Sequence, residues 1–299
     1  MNRMIDVPLS LGLAVCVALL SVVAAPTPAG AQSSDRPIAD ELIAREAAWL
    51  HGLARQQLPE LLDMAGDFGG YGGVLFEVVE QIEPPPSELE GILRSTLFPS
   101  LDPAVAGAVA EFWGSQTGRK ILWLRQEATT QSGRRGLARS VNDVAARIAR
   151  DNPDRYADVT AIDAASIETE TTLAVTARLF QFVDAAANRI QGDLGDEAEW
   201  AQSPAEIRDH FRGPFREQLV REFVYRTSRL SAVEIADLHA FAHSDEGRAY
   251  FEARRAALEA GAAAIVDTLL PRAHGRLDGE LREYAREREE EEGEGDEDR

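Results

Sequence analysis

His239 and His243 are the residues whose type and spacing come nearest to a catalytic or metal-binding signature. Four-residue spacing on a predicted helix puts both imidazoles on one side, the geometry of many zinc sites. A third ligand would have to come from Asp237, Glu246 or the distant His274. The chain has no H-E-x-x-H pattern and no glutamate placed as a general base, so the competing reading is two surface histidines flanking a buried Phe241. Ser115 and Ser244 lie outside any G-x-S-x-G elbow, with no histidine brought beside them by sequence, and read as helix caps rather than nucleophiles. Gly69-Gly70-Tyr71-Gly72-Gly73 lacks the preceding strand, the lysine and the hydroxyl residue of a phosphate loop, and reads as a flexible connector. Paired carboxylates discriminate nothing in a chain with 51 acidic residues. No cofactor is expected, with zinc at His239 and His243 as the one alternative.

Composition narrows the function classes further. The single cysteine, Cys16, lies in an apolar run from Leu9 to Ala25 that is too short for a comfortable transmembrane helix and reads as the core of a signal peptide. Ala29-Gly30-Ala31 offers small residues at the positions a signal peptidase inspects, which puts cleavage after Ala31 and makes residues 1–31 the signal. Lipidation at Cys16 is the less fitting alternative, because the bulky Val15 precedes it. The expected location is periplasmic or extracellular. After cleavage no disulfide, thiolate metal site or cysteine nucleophile remains. A formal net charge of −20 repels phosphates, so no nucleic-acid partner is expected. No second long apolar run follows, so no membrane span is expected in the mature protein.

The elements that must position any site are helical throughout. Asp35-Arg36-Pro37 opens a helix presenting Leu42, Trp49, Leu53 and Leu61, and Ser203-Pro204-Ala205-Glu206 opens another with Ile207, Phe211, Phe215, Leu219 and Phe223 on one face. Shifting the chain by 129 positions pairs Ile38 with Ile167, Leu50 with Leu179, Leu53 with Phe182, Leu61 with Ile190 and Leu101 with Leu230. The same register superimposes Phe112, Ser115, Gly118 and Arg119 on Phe241, Ser244, Gly247 and Arg248. Asp102-Pro103 and the capping box Ser231-x-x-Glu234 start a helix at the same place in each half. The repeated F-x-x-S-x-x-G-R then reads as a tight helix-turn-helix corner, with serine capping the second helix and glycine allowing close approach. Phe112 and Phe241, each one turn after Val109 and Leu238, form its inward face.

This corner resembles the shared segment, approximately F-Y-x-S-P-x-G, of exported bacterial proteins grouped as domain of unknown function 2059. Trp113 and Ala242 stand where that pattern has tyrosine, and Gln116 and Asp245 where it has proline. The resemblance implies a helical fold and an envelope location, and it implies no activity and no catalytic residue.

The expected fold is all-α: two similar helical bundles from an internal duplication, a first repeat domain over 34–153 ending at Asn152-Pro153, a second over 160–286, and a disordered acidic tail over 287–299. The expected function is a non-enzymatic envelope protein that binds or scaffolds another envelope component through a groove between the halves, with Phe211, Phe215 and Phe223 as candidate groove residues. Two alternatives stay open: a metal-dependent hydrolase using His239 and His243, and a carrier of a hydrophobic small molecule or lipid. The four tryptophans and the phenylalanine stripe are expected mainly in the core.

Overall fold

The computed structural model describes residues 38–65, 71–82, 84–128, 131–192 and 204–297. The expected signal segment, Gly69, Gly70, Trp200 and Ser203 lie outside the described residues. Within them the chain is all-α and contains no strand. Helix α1 (Ile38–Ala65) starts with Asp40 and Glu41 in its first turn, where the exposed backbone N–H groups favour negative charge. Helix α2 (Gly72–Glu80) and helix α3 (Pro86–Leu97) follow, then a single 3₁₀ turn over Phe98–Ser100. The glycine run is therefore not a connector over its whole length, since Gly72 and Gly73 already belong to α2. A helix start tolerates glycine because its first N–H groups have no intrahelical partner to lose.

Helix α4 (Pro103–Gly114) is capped by Asp102, whose carboxylate accepts from Ala104 N at 2.8 Å, and α5 (Gln116–Ala128) turns back from it. Helix α6 (Gln131–Asp151) ends at Asn152, whose side chain accepts from Arg155 N at 3.1 Å and so starts α7 (Pro153–Ser166) without a linker. A single residue, Ile167, separates α7 from α8 (Glu168–Gly192). Helix α9 (Pro204–Thr227) leads to the capping box of α10 (Ala232–His243), in which Glu234 N donates to Ser231 Oγ and Ser231 N to Glu234 Oε2. Helix α11 (Asp245–Glu297) closes the chain. The bounds of α4 and α10 are offset at both ends by the 129 residues that align Ile38 with Ile167.

The acidic segment 287–299 is expected from composition to be irregular, yet α11 continues through it to Glu297. Glutamate and arginine are good helix formers, and a helix already nucleated upstream extends one residue at a time at little cost.

Helix α8 is the axis of the fold. It packs against α1, α9 and α11, and Leu173, Val175, Leu179, Phe182, Val183 and Ala186 bury it nearly all round. Helices of the two halves interleave: α11 lies on α3 and α4, and α1 on α8. One continuous apolar core results, from Leu42 on α1 to Leu277 on α11. Most of the polar residues that α8 carries inward are satisfied locally, whereas the buried Thr171 hydroxyl has no hydrogen-bond partner. Thr176 Oγ1 donates to Thr172 O at 2.9 Å and accepts from Gln57 Nε2 at 3.1 Å, tying α8 to α1. Among the described residues no helix is long and apolar enough to cross a membrane.

Trp113 is in this core and Trp49 packs at its edge, but Trp123 is 48% exposed. The Trp123 ring is covered instead by the Arg229 guanidinium, 4.9 Å from the ring centre, a cation-π contact that stabilises an indole without burying it. Because Phe182 is fully buried in the face of α8 that meets the core, Phe182→Ala is expected to cost about 3–5 kcal/mol, read as a lowered urea midpoint with an unchanged slope.

Candidate functional site

The two corners have the same internal construction. Ser115 Oγ donates to Phe112 O at 2.6 Å and accepts from Gly118 N at 3.1 Å; Ser244 Oγ donates to Phe241 O at 2.8 Å and accepts from Gly247 N at 2.9 Å. One hydroxyl thus closes the end of the first helix and caps the start of the second. The glycines permit the close turn. A Cβ on Gly118 would sit 2.2 Å from Phe112 O, and one on Gly247 would sit 1.8 Å from Phe241 O, both inside van der Waals contact with backbone that cannot step aside.

The corners meet each other. The rings of Phe112 and Phe241 stack with centroids 4.0 Å apart and planes 3° from parallel. Trp113, Tyr250 and Phe251 surround this pair edge-on or tilted, in the arrangement that ring quadrupoles favour. Phe241 is buried, whereas Phe112 is only partly so and the neighbouring Trp113 takes the inward position expected of it. Two polar bridges join the halves beside the stack: Thr117 Oγ1 donates to Asp237 Oδ2 at 2.7 Å, and Lys120 Nζ pairs with Glu234 Oε2 at 2.6 Å. Between α4 and α10 this leaves an open groove of about 740 Å³. Its floor is Phe112 and Phe241, its rim carries Glu111, Glu234 and Asp237, and Val233 projects there 70% exposed.

Beneath the corners lies a buried charge centre that the sequence did not disclose. Arg254 on α11 is 1% exposed and donates to Glu46 of α1 through Nε at 2.8 Å and Nη2 at 3.0 Å, and to Glu168 of α8 through Nη1 at 3.3 Å. Arg125 on α5 donates to the same Glu46 at 2.9 Å and pairs with Glu168 at 3.7 Å. Arg125 and Arg254 are themselves 129 residues apart, at the same position after each corner. Burial pushes Glu46 and Glu168 upward, but the two guanidiniums more than reverse it, leaving Glu46 below the usual range and Glu168 at about 2. Burial lowers Arg254 but the two glutamates more than offset this, so it stays charged.

Around this centre stand carboxyls in the opposite condition. Burial raises Asp163 to about 6, although Thr169 donates to it through both its N and its Oγ1, and burial raises Glu222 to about 8 against the opposing pull of Arg226 and Gln218. Ile167 holds a left-handed conformation at φ 47° and ψ 30°, strained for a β-branched residue, at the junction from which Ser166 and Glu168 project. The bonds from Asp163 to Thr169 span that junction and hold it.

The other residues singled out by sequence are dispersed. The His239 and His243 rings stack at 4.0 Å, with His243 Nδ1 2.9 Å from the carbonyl oxygen of His239, and among the described residues no three His, Cys, Asp or Glu side chains come together as a metal-binding group. Phe211 and Phe215 are buried in an aromatic cluster with Phe180, away from the groove between the halves, while Phe223 lines a separate small cavity. The groove is instead lined by residues of the corners. The sequence does show an arginine at the same distance after each corner, but nothing in it joins either arginine to Glu46 or Glu168. No family model matches the chain, and no curated protein or solved structure matches it either.

Two outcomes follow from this geometry. Gly247→Ala must displace backbone at the corner and is expected to lower stability by about 1–3 kcal/mol, with Gly275→Ala, where an added Cβ meets open space, as the control in the same helix, both followed by denaturant unfolding. Glu222 stays protonated in the folded chain while its unfolded counterpart ionises, so its contribution to stability falls as pH rises from about 4.5 to about 8. Glu222→Gln removes that dependence. Its stability relative to wild type is expected to rise steadily across that window and to be least affected below it, as read by urea midpoints at a series of pH values.

Proposed function

We propose that this protein is an exported, non-enzymatic helical binding module, built by internal duplication, that docks a segment of another envelope protein in the groove between α4 and α10. The observation carrying the reading is the composition of that groove: a stacked aromatic floor supplied by both corners, an acidic rim and an exposed apolar residue at its lip. Aromatic floors supply binding area at little conformational cost, and acidic rims select for basic partners. The occupant proposed is therefore a basic segment with apolar side chains at helical spacing. The net charge of −20 favours the approach of such a segment from a distance. Export is supported by the apolar run from Leu9 to Ala25 with small residues at Ala29 and Ala31, and by the resemblance of the corners to exported proteins. Duplication is supported by the matching corner bonds and helix bounds.

The test uses two synthetic amphipathic peptides with the same apolar residues, one lysine-rich and one glutamate-rich, titrated calorimetrically into residues 32–299. The lysine-rich peptide is expected to bind, to weaken as salt is raised, and to lose about tenfold or more in affinity to Val233→Lys, a substitution on a 70% exposed residue that leaves the core untouched. Equal binding of the two peptides, or indifference to Val233→Lys, would remove the groove as the docking site.

A further inference from the structure

Among the described residues the large apolar side chains left exposed are Trp123 and Val233, at 48% and 70%. Single apolar residues scattered over a surface are ordinary, but these two stand along one seam. Thr117 of α5 donates to Asp237 of α10, Lys120 one turn on pairs with Glu234, and Trp123 one turn further lies under Arg229, three residues before α10 begins. Thr117, Val233, Glu234 and Asp237 also line the groove between α4 and α10. The seam therefore leads out of the groove, beside Val233, and ends on the indole of Trp123.

That indole is held in place. Arg229 covers it from one side and pairs with Glu127, one turn beyond Trp123 on α5. The pair neutralises the guanidinium and keeps it over the ring, while Trp123 stays open to solvent. A tryptophan already fixed in one position loses little freedom when a partner covers it, and tryptophan and arginine are the residues in which binding energy most often concentrates.

Helix geometry sets the distance between this ring and the groove floor. From Phe241 back to Asp237 is four residues of α10, and from Thr117, bonded to Asp237, forward to Trp123 is six residues of α5. At a rise of about 1.5 Å per residue the two steps add to about 15 Å. A partner helix covers that distance in about eleven residues, or three turns, after which its side chains return to the same face. Glu111, Glu234 and Asp237 line the groove end of this track, so cationic residues beside the apolar ones complete the match.

We propose that Trp123 is the second anchor of the docking surface, and that the partner is a basic amphipathic helix of three turns or more, with one apolar residue on the Phe112–Phe241 floor and another, about eleven positions away, on Trp123. The inference rests on the groove reading above and adds to it the partner's conformation, its least length and the spacing of its anchors.

The experiment titrates a lysine-rich amphipathic peptide with apolar residues at i, i+4, i+7 and i+11 into residues 32–299, followed by calorimetry, together with two derivatives in which the first or the last apolar residue is alanine. Trp123→Ala removes an exposed side chain, and a melting curve verifies that the fold is kept. This variant is expected to bind the parent peptide at least about tenfold more weakly than wild type does. One of the two derivatives is expected to lose a similar factor against wild type and nothing further against Trp123→Ala, the non-additivity that a direct contact produces. Subtracting the emission of Trp123→Phe from that of wild type isolates the Trp123 signal, which is expected to move to shorter wavelength when the parent peptide binds. Equal affinity of wild type and Trp123→Ala, losses that multiply in full for both derivatives, or an unshifted Trp123 emission would each overturn the proposal. Weakened binding in Val233→Lys with none in Trp123→Ala overturns this anchor and leaves the groove as the docking site, whereas a wild-type chain that binds no peptide overturns both.

Discussion

The contact on which the arrangement of helices depends is the bidentate bond between Arg254 and Glu46, which joins residues 208 positions apart inside the core. With Arg125 and Glu168 it fastens α1, α5, α8 and α11 at one point. Two guanidiniums and two carboxylates in alternation leave each charge with an opposite neighbour, the condition under which buried ions are tolerated. Such a cluster contributes less to net stability than an equal volume of leucine would. What it enforces is register: sliding any one of the four helices by a turn strands a charge in hydrocarbon, a loss of several kcal/mol that no sliding of apolar side chains would incur.

The corners and the charge cluster act together. Each corner fixes the angle between two helices through one serine hydroxyl and one missing Cβ, and two turns after each corner glycine stands the arginine that reaches the cluster. The stacked Phe112 and Phe241 set the corners against each other, so the guanidiniums converge from two directions on the same pair of glutamates. Two similar corners thereby feed an uneven centre, because the glutamates come from α1 and α8 at positions that the 129-residue shift does not relate.

How much of this was legible follows from how local each signal is. The helical class, the capping residues Asp102 and Ser231 and the serine-glycine corner are written within a few neighbouring residues, and periodicity exposes them. The charge cluster is written in pairs separated by 79 and 208 residues, in a chain where 51 acidic and 31 basic residues make any single pairing indistinguishable from the rest. Orientation was the harder part even at short range. Periodicity could not say that Trp113 rather than Phe112 takes the most buried place, or that Trp123 lies outward under Arg229, since both depend on which helix arrives from the other half. The phenylalanine stripe on α9 was visible as an apolar face, but whether such a face meets a core or a groove is decided by its neighbours, and here Phe180 on α8 closes over it.

Arg155 adds a temporal aspect. Its Nη2 sits among the carbonyl oxygens of Thr227, Ser228 and Leu230, so the side chain of α7 closes the open end of a helix made more than seventy residues later. Glu46 likewise lacks its bidentate partner until Arg254 has been synthesised. During elongation the early helices can pack on one another, but the core is completed only when the helices of the last third, which lie on α3, α4 and α8, have emerged. A polypeptide with its fasteners distributed in this way stays threadable for as long as it is being made, and sets only once it is whole.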